Sequence, residues 1–228
     1  MYDSKKLVIL DADGTVIDAF SAMTKTFDRH KMKLGDLSRF QKRHNLFKYL
    51  GGVKEFPSNL KHQLKKIDRQ NLIDTLTGVY RNEACLYPGM AEMISRLIAV
   101  PDIIVGVVSR NITLDPVNTI GSLLEREGID VKGLDFLEVI PLKKKKTDTF
   151  KQLREKYNIN PALCYVCGDE HKDYFSAITS GMNAIIASYG FESFERLTGK
   201  FEIPVELISA EPALLKERLF HALQISAE

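Results

Sequence analysis

The chain has 228 residues, of which 44% are hydrophobic and 27% are charged, and its formal net charge is +2. These values are typical of a soluble globular chain, and they allow one large domain or a domain with a sizeable insertion. No apolar run approaches the roughly 20 residues that a membrane span needs, and the N-terminus lacks the layout of a signal peptide. We therefore expect a cytoplasmic protein without a membrane partner.

The positive charge is concentrated in one part of the chain. Residues 20–82 contain 14 Lys and Arg against 5 Asp and Glu, a surplus of nine, so the remaining residues carry a net charge of −7. This asymmetry indicates two parts with different surfaces.

The cysteines indicate no disulfide framework, because Cys85, Cys164 and Cys167 form an odd number. Cys164 and Cys167 have the spacing of a redox motif, and zinc binding is a further alternative. However, both lie in an apolar stretch that is typical of a strand, which favours buried packing.

The first predicted element ends in two acidic residues. Residues 7–10 are apolar and predict a buried parallel strand, and Asp11 and Asp13 follow at its carboxyl end, where open α/β sheets bind ligands. Two carboxylates on one short turn repel each other and lose hydration, so a fold tolerates them mainly where a cation or a proton offsets their charge. Gly14 suits a sharp turn, and Thr15 adds a hydroxyl.

The next stretch predicts a helical insertion. Between Phe20 and Asn82, apolar residues recur at every third or fourth position, which favours roughly four helices. Loops interrupt the pattern, and Ser58 or Asn59 is a candidate helix cap. We therefore predict a core domain at residues 1–19 and 84–228 and a helical cap at residues 20–83.

The remainder alternates between strands and helices. Apolar stretches predict strands at 103–108, 134–140, 163–167 and 184–187, with an edge strand at 205–208. Helical patterns lie between them, at 89–99, up to 127, at 147–157 with Thr147 as the cap, up to 180, and from Pro212 onward. This alternation predicts an α/β fold with a doubly wound parallel sheet, and right-handed crossovers place the strand ends along one edge.

Several polar residues are expected to meet at that edge: Asp11, Asp13, Ser109, a lysine from the run at 143–146, Asp169 and Asp173. This set suits the covalent hydrolysis of a phosphate monoester. A carboxylate can attack phosphorus, and a hydroxyl and an ammonium group can hold the phosphate oxygens. A dianionic phosphate approaches carboxylates only where a hard cation bridges them, so we expect Mg²⁺ as the cofactor.

These residues occur in four ordered motifs that resemble the phosphohydrolase branch of the haloacid dehalogenase-like (HAD) superfamily. The motifs are Asp11-x-Asp13-Gly14-Thr15, then Ser109, then the lysine, then Gly168-Asp169-x-x-x-Asp173; Tyr87-Pro88-Gly89 and Gly181-Met182 are also similar to the family. The resemblance covers residues 1–19 and about 84–190. It implies a Rossmann-like core, and it implies that the insertion is a helical lid of the family's first cap type.

The resemblance also implies a role for each motif residue. Asp11 matches the nucleophile, and Asp13 matches the general acid that protonates the leaving alcohol and later activates water. Ser109 and the lysine match the groups that hold the phosphate. The magnesium ligands would be Asp11, Asp169 and the backbone carbonyl of Asp13, with Asp173 acting through a water.

Four further residues are candidates for phosphate binding: Gly14, Thr15, Arg110 and Asn111. In the family an asparagine commonly follows the hydroxyl residue directly, whereas here Arg110 does, which leaves the role of Asn111 open. For Arg110 we favour a solvated charge, or a charge that lies behind the phosphate-binding groups, over a direct phosphate clamp. The alternative for Ser109 is a cap on the following helix.

The lysine motif is ambiguous, because Lys143 to Lys146 are consecutive and only one of them can face a single site. The spacing to the fourth motif favours Lys144 as the catalytic lysine, with Lys146 as the alternative. The proline that often follows this lysine in the family is absent.

Asp13 carries the choice of reaction class. Dehalogenases of the superfamily lack a carboxylate at this position, and its transport ATPases carry threonine. The resemblance therefore favours a phosphoric monoester hydrolase, similar to phosphoglycolate phosphatase, that acts on a small phosphorylated metabolite as a monomer or homodimer. The alternatives are a phosphomutase of the β-phosphoglucomutase type and a catalytically weak protein whose basic cap binds nucleic acid or an acidic partner; we do not expect nucleic acid as a partner of the enzyme.

Overall fold

The computed structural model describes residues 2–32 and 69–226. Most of the predicted helical insertion, including the candidate caps Ser58 and Asn59, lies outside these residues. Among the helices that are described, none combines the length and the apolar character that crossing a bilayer would require.

The described residues form a six-stranded parallel sheet. Its strands are β1 (Lys6–Leu10), β2 (Ile103–Ser109), β3 (Phe136–Val139), β4 (Cys164–Gly168), β5 (Asn183–Ala187) and β6 (Ile208–Ser209), in the spatial order β3-β2-β1-β4-β5-β6. The predicted doubly wound α/β fold is therefore confirmed. The strand order reverses beside β1, and open sheets of this kind bind ligands in the crevice at such a reversal.

The described helices are α1 (Ala19–Arg29), α2 (Arg69–Asn82), α3 (Met90–Ala99), α4 (Pro116–Arg126), α5 (Lys146–Lys156), α6 (His171–Thr179), α7 (Phe194–Gly199) and α8 (Pro212–Leu223). The predicted cap at Thr147 is wrong, because α5 begins one residue earlier, at Lys146. The residue at the cap position is Lys145, and its side chain makes no capping hydrogen bond.

The predicted edge strand at 205–208 is only partly correct. Val205–Leu207 form a 3₁₀ turn, and pairing with β5 begins at Ile208. Pro204 precedes the turn and has no N–H to offer a neighbouring strand, while its carbonyl accepts a hydrogen bond from the Leu207 N–H at 3.0 Å. Because the 3₁₀ turn and its local hydrogen bond occupy residues 205–207, the strand begins only at Ile208.

The core lies on both faces of the sheet. Leu7 to Leu10 of β1 are fully buried, as expected of a parallel strand that helices cover on both sides. Cys164 and Cys167 are buried in the two hydrophobic clusters that cover opposite faces, and burial raises the pKa of both thiols to about 12. Both thiols therefore stay neutral, in agreement with a packing role.

The helices that flank the undescribed segment belong to the same core. α1 and α2 pack against each other, and Phe27, Leu76 and Tyr80 join the hydrophobic cluster that contains Leu10 of β1. This packing brings the end of α2 close to the carboxyl end of the sheet. The proposed domain boundaries near residues 19 and 83 stay a prediction.

Candidate active site

Two aspartates extend from the end of β1. Asp11 continues the pairing of β1 with β4, because its N–H donates to the Cys167 carbonyl at 2.8 Å. Asp11 and Asp13 are each only 8% exposed. The chain then turns at Gly14, which has a φ of +83°, and a Cβ there would lie 2.2 Å from Asp169 Oδ2. Only glycine fits this turn, because both the conformation and the space exclude a side chain.

Three carboxylates form a buried cluster. One oxygen from each of Asp11, Asp169 and Asp173 lies within 4.8 Å of the others. Burial raises the pKa of Asp11 to about 7, with Lys146 opposing the rise and Asp173 adding to it. Burial and the neighbouring charge of Asp11 raise the pKa of Asp169 well above its ordinary value. Without a bound cation, burial therefore favours the protonated form of both carboxyl groups.

The lysine that reaches this cluster is Lys146. Its Nζ lies 2.6 Å from Asp11 Oδ2 and 2.8 Å from Asp173 Oδ1, and its side chain is 2% exposed. Burial lowers the Lys146 pKa, but Asp11 and Asp173 outweigh burial and raise it, so the ammonium group stays charged.

The predicted motif lysine, Lys144, does not reach the carboxylates in this structure, whereas the alternative, Lys146, does; which of them acts in catalysis stays a prediction. Lys144 lies exposed in the loop before α5, whereas Lys146 is the first residue of the helix and faces the cluster. The start of α5 decides which lysine of the run is buried, and this start could not be read from four identical residues.

Asp13 lies in different surroundings. The hydroxyl of Tyr80 donates to Asp13 Oδ1 at 2.8 Å, and Nδ2 of Asn111 donates to Asp13 Oδ2 at 2.9 Å. Asn111 is fixed in turn, because its Oδ1 accepts from the Thr113 N–H at 2.8 Å. Burial raises the Asp13 pKa, and the bonds from Tyr80 and Asn111 oppose the rise. Both oxygens of Asp13 are thus held by uncharged donors.

Two buried hydroxyls face the same end of the sheet without a hydrogen-bond partner in the described part of the chain: Ser109 Oγ and Thr15 Oγ1. Ser109 is the last residue of β2, and α4 begins only at Pro116, so Ser109 does not cap that helix. The Ser109 hydroxyl lies close enough to Asp13 to oppose the rise in the Asp13 pKa, and it can also donate to a ligand.

Arg110 is not a free surface charge. Its Nη2 lies 2.5 Å from Glu170 Oε2, and the two side chains are 13% and 18% exposed. The negative charges of Glu170 and Asp173 raise the Arg110 pKa against the effect of burial. This pair joins the loop after β2 to the loop after β4, and it makes Arg110 less available to a phosphate than its charge alone suggests.

A segment near residue 190 completes the site, and sequence reasoning missed it. The Phe191 N–H donates to Asp169 Oδ2 at 2.6 Å, and a Cβ on Gly190 would lie 2.4 Å from the same oxygen. Glu192 is fully buried and accepts from the His171 N–H at 2.6 Å. The available signal was a glycine just beyond the carboxyl end of β5, at the edge where the other motifs gather.

The carboxylate cluster fits a hard divalent cation. Asp11, Asp169 and Asp173 supply oxygen ligands of the kind that Mg²⁺ prefers, and together they would hold it. Asp169 Oδ1 is buried and has no hydrogen-bond partner among the described residues, so it is available as a ligand. The Asp13 side chain is outside this group, and coordination by its backbone carbonyl stays a prediction.

The other lysines of the run border a groove of about 530 Å³ beside the cluster. Arg110 and Lys146 line its inner end, together with the residues of the loop before α5 and of α6, including Lys143, Lys144, Lys145 and Lys172. The lining of this groove is therefore rich in positive charge, with Asp148 as its acidic member.

The fold and the site together define a hydrolase, and comparison with protein families agrees. Residues 5–181 match the family of haloacid dehalogenase-like hydrolases. The matched region is well over half of the chain. The protein belongs to this family, which confirms the resemblance found in its sequence. A comparison with curated proteins found no match.

Solved structures of the same fold cover nearly the whole chain. A predicted phosphatase from Clostridium acetobutylicum is 19% identical with a TM-score of 0.62, and the alignment covers 96% of this chain and 100% of the other. A predicted phosphoglycolate phosphatase from Haemophilus somnus is 17% identical with a TM-score of 0.62, and the alignment covers 95% of this chain and 99% of the other. The defluorinating L-2-haloacid dehalogenase Rha0230 is 13% identical with a TM-score of 0.57, and the alignment covers 96% of this chain and 99% of the other. At these identities the likeness shows the fold alone.

Proposed function

We propose that the protein is a phosphatase that hydrolyses a small phosphorylated metabolite and uses Mg²⁺ as its cofactor. Asp11 attacks the phosphorus and forms an aspartyl phosphate, while the bond from phosphorus to the leaving oxygen breaks. Asp13 gives a proton to that oxygen and then takes one from the water that hydrolyses the aspartyl phosphate. When bound, Mg²⁺ supplies positive charge that offsets the repulsion between the carboxylates and the phosphate.

The other site residues act on the phosphate and on the substrate's approach. The ammonium group of Lys146 and the buried hydroxyl of Ser109 hold phosphate oxygens as charge shifts between them. Lys143, Lys145 and Lys172 lie along the adjoining groove, and their charge attracts anionic substrates toward the site.

The observation that carries this proposal is the position of Asp13. A dehalogenase releases halide, which needs no proton, whereas a phosphatase releases an alkoxide, which does. A second carboxylate two residues after Asp11, buried and held in place by hydrogen bonds, suits the second reaction. Solved structures with the same fold include proteins with phosphatase names and a dehalogenase, so the choice between the two reactions rests on Asp13.

Phosphate release tests the proposal directly. The purified protein is assayed with p-nitrophenyl phosphate and a panel of phosphorylated metabolites, in Mg²⁺ and in EDTA. We expect turnover in Mg²⁺ only, and we expect the Asp11→Asn variant to lose at least about a thousandfold in kcat. Asp102→Asn is the matched control, because Asp102 is exposed at the opposite edge of the sheet, and its activity should equal that of the wild type.

Other outcomes separate the alternatives. Halide release from a 2-haloacid without phosphate release would identify a dehalogenase, and an isomerised sugar phosphate among the products would identify a phosphomutase. Salt-dependent retention on heparin without turnover would favour a binding protein. Full activity of Asp11→Asn would show that another residue is the nucleophile.

A further inference from the structure

Asp13 is restrained by a residue from outside the family motifs. The Tyr80 hydroxyl donates to Asp13 Oδ1 at 2.8 Å across 67 positions of sequence, and the Tyr80 side chain is fully buried. Burial and the nearby Asp13 raise the Tyr80 pKa well above its ordinary value, so the hydroxyl keeps its proton. Bulk water cannot replace this bond, because the site of contact is closed to solvent.

Tyr80 is itself held firmly in place. The Arg126 guanidinium donates to the Tyr80 carbonyl at 3.2 Å and also to the Arg81 carbonyl, which fixes the end of α2 against α4. One turn earlier, Thr77 Oγ1 accepts from the Leu114 N–H at 2.9 Å. The same loop after β2 therefore carries Asn111 and anchors α2, so both donors to Asp13 belong to one hydrogen-bonded unit.

We propose that Tyr80 is a positioning residue for Asp13, an inference that rests on the proposed phosphatase function. A proton passes only between groups within hydrogen-bonding reach, and an unrestrained aspartate side chain samples several rotamers. The Asn111 Nδ2 group donates to Oδ2, whereas the bond to Oδ1 comes from Tyr80. The Tyr80 hydroxyl fixes Oδ1 and thereby the rotation of the carboxyl group.

The chemistry of the leaving group provides a selective test. The ratio kcat/KM reports the steps up to loss of the leaving alcohol, and an alkoxide needs a correctly placed proton donor. p-Nitrophenolate leaves readily without one. Removing the Tyr80 hydroxyl should therefore slow the hydrolysis of alkyl phosphates much more than that of p-nitrophenyl phosphate.

The experiment compares Tyr80→Phe with the wild type on an alkyl phosphate substrate and on p-nitrophenyl phosphate. We expect kcat/KM to fall by about tenfold or more for the alkyl phosphate and by less than about threefold for p-nitrophenyl phosphate. Tyr165→Phe is the matched control, since Tyr165 donates to the Ala222 carbonyl at 3.3 Å and does not touch Asp13. It should leave both values unchanged.

The quotient of the two kcat/KM values does not depend on the concentration of active enzyme, so partial misfolding of a variant cannot imitate the result. An unchanged quotient in Tyr80→Phe would overturn the proposed role of Tyr80, whether both values fall together or neither falls. Absence of turnover by the wild type on every phosphate ester would instead overturn the proposed function.

Discussion

Asp11 and Asp13 lie on one loop two residues apart, yet the two sides of the site differ in kind. The Asp11 side is charged, with Lys146 and two further carboxylates in contact range. Asp13 is held by neutral donors, with hydrogen bonds from Tyr80 and Asn111, although the Lys146 charge also lowers its pKa. The carboxylates around Asp11 can bind a divalent cation, whereas Asp13 is held mainly by neutral hydrogen-bond donors. Identical side chains thus acquire different chemistry from their surroundings.

Replacing Lys146, which is positively charged and contacts Asp11, should have the largest effect on stability and activity. Lys146→Met leaves Asp11 and Asp173 without their positive partner, and breaking a buried pair in this way costs about 3–5 kcal/mol of unfolding free energy. We expect this loss at pH 8 in EDTA, measured by urea denaturation, together with at least about a hundredfold loss in kcat/KM.

Lys144→Met is the matched control for that variant. Lys144 is exposed, so its unfolding free energy should stay within about 0.5 kcal/mol of the wild type and its activity should be unchanged. If Lys144→Met lost as much stability and activity as Lys146→Met, Lys144 would be the motif lysine.

Changing the pH should have an intermediate effect on the unfolding free energy, through the ionisation of Asp11. In the metal-free protein the Asp11 pKa is about 7, against an ordinary value of 3.8. The folded chain then holds this proton more tightly than the unfolded chain, so the Asp11 contribution to stability is largest below pH 4 and is lost as the pH rises to 7. We expect a decrease on the order of 2–4 kcal/mol, which levels off above pH 7.

Comparison with Asp11→Asn isolates this contribution from the other titrating groups. Urea denaturation of both proteins in EDTA, from pH 4 to pH 8, should show the decrease as a difference between wild type and variant. Parallel curves would mean that Asp11 ionises normally in the folded protein.

The smallest effect is expected at Asp13, where the hydrogen-bond donors are neutral. Asn111→Ala removes one of two donors to Asp13 and leaves the Thr113 N–H without its acceptor, which costs about 1–2 kcal/mol of unfolding free energy. This cost should grow as the pH rises through the range in which Asp13 ionises, because the Asn111 bond opposes the rise in the Asp13 pKa and its loss disfavours the carboxylate form. A cost that stays the same from pH 5 to pH 8 would show that Asp13 keeps one protonation state in the folded protein over this range.

The sequence predicted those parts of the site that follow from local pattern. A buried strand that ends in carboxylates is visible at β1, and the same pattern recurs at β4 before Asp169, so the sheet and the acidic cluster could be anticipated. The choice between Lys144 and Lys146 could not, because it depends on the residue at which α5 begins.

Tyr80 escaped prediction for a different reason. It follows Leu72, Leu76 and Val79 on the apolar face of α2, so the pattern places it in the core, and a buried tyrosine hydroxyl needs a partner. Which partner it meets depends on how α2 packs against the sheet. That packing brings Tyr80 to Asp13, which is 67 positions away, and a local sequence pattern cannot predict such a contact.

The contacts near residue 190 set a minimum length for a working chain. The matched family region ends at residue 181, but the Tyr189 hydroxyl donates to the Thr15 carbonyl at 2.8 Å, and the Phe191 N–H and Glu192 support the loop after β4. A fragment trimmed to residue 181 would keep the four ordered motifs, but it would lose β5 and β6 as well as these contacts. A nascent chain likewise cannot assemble the complete pocket until Glu192 has left the ribosome.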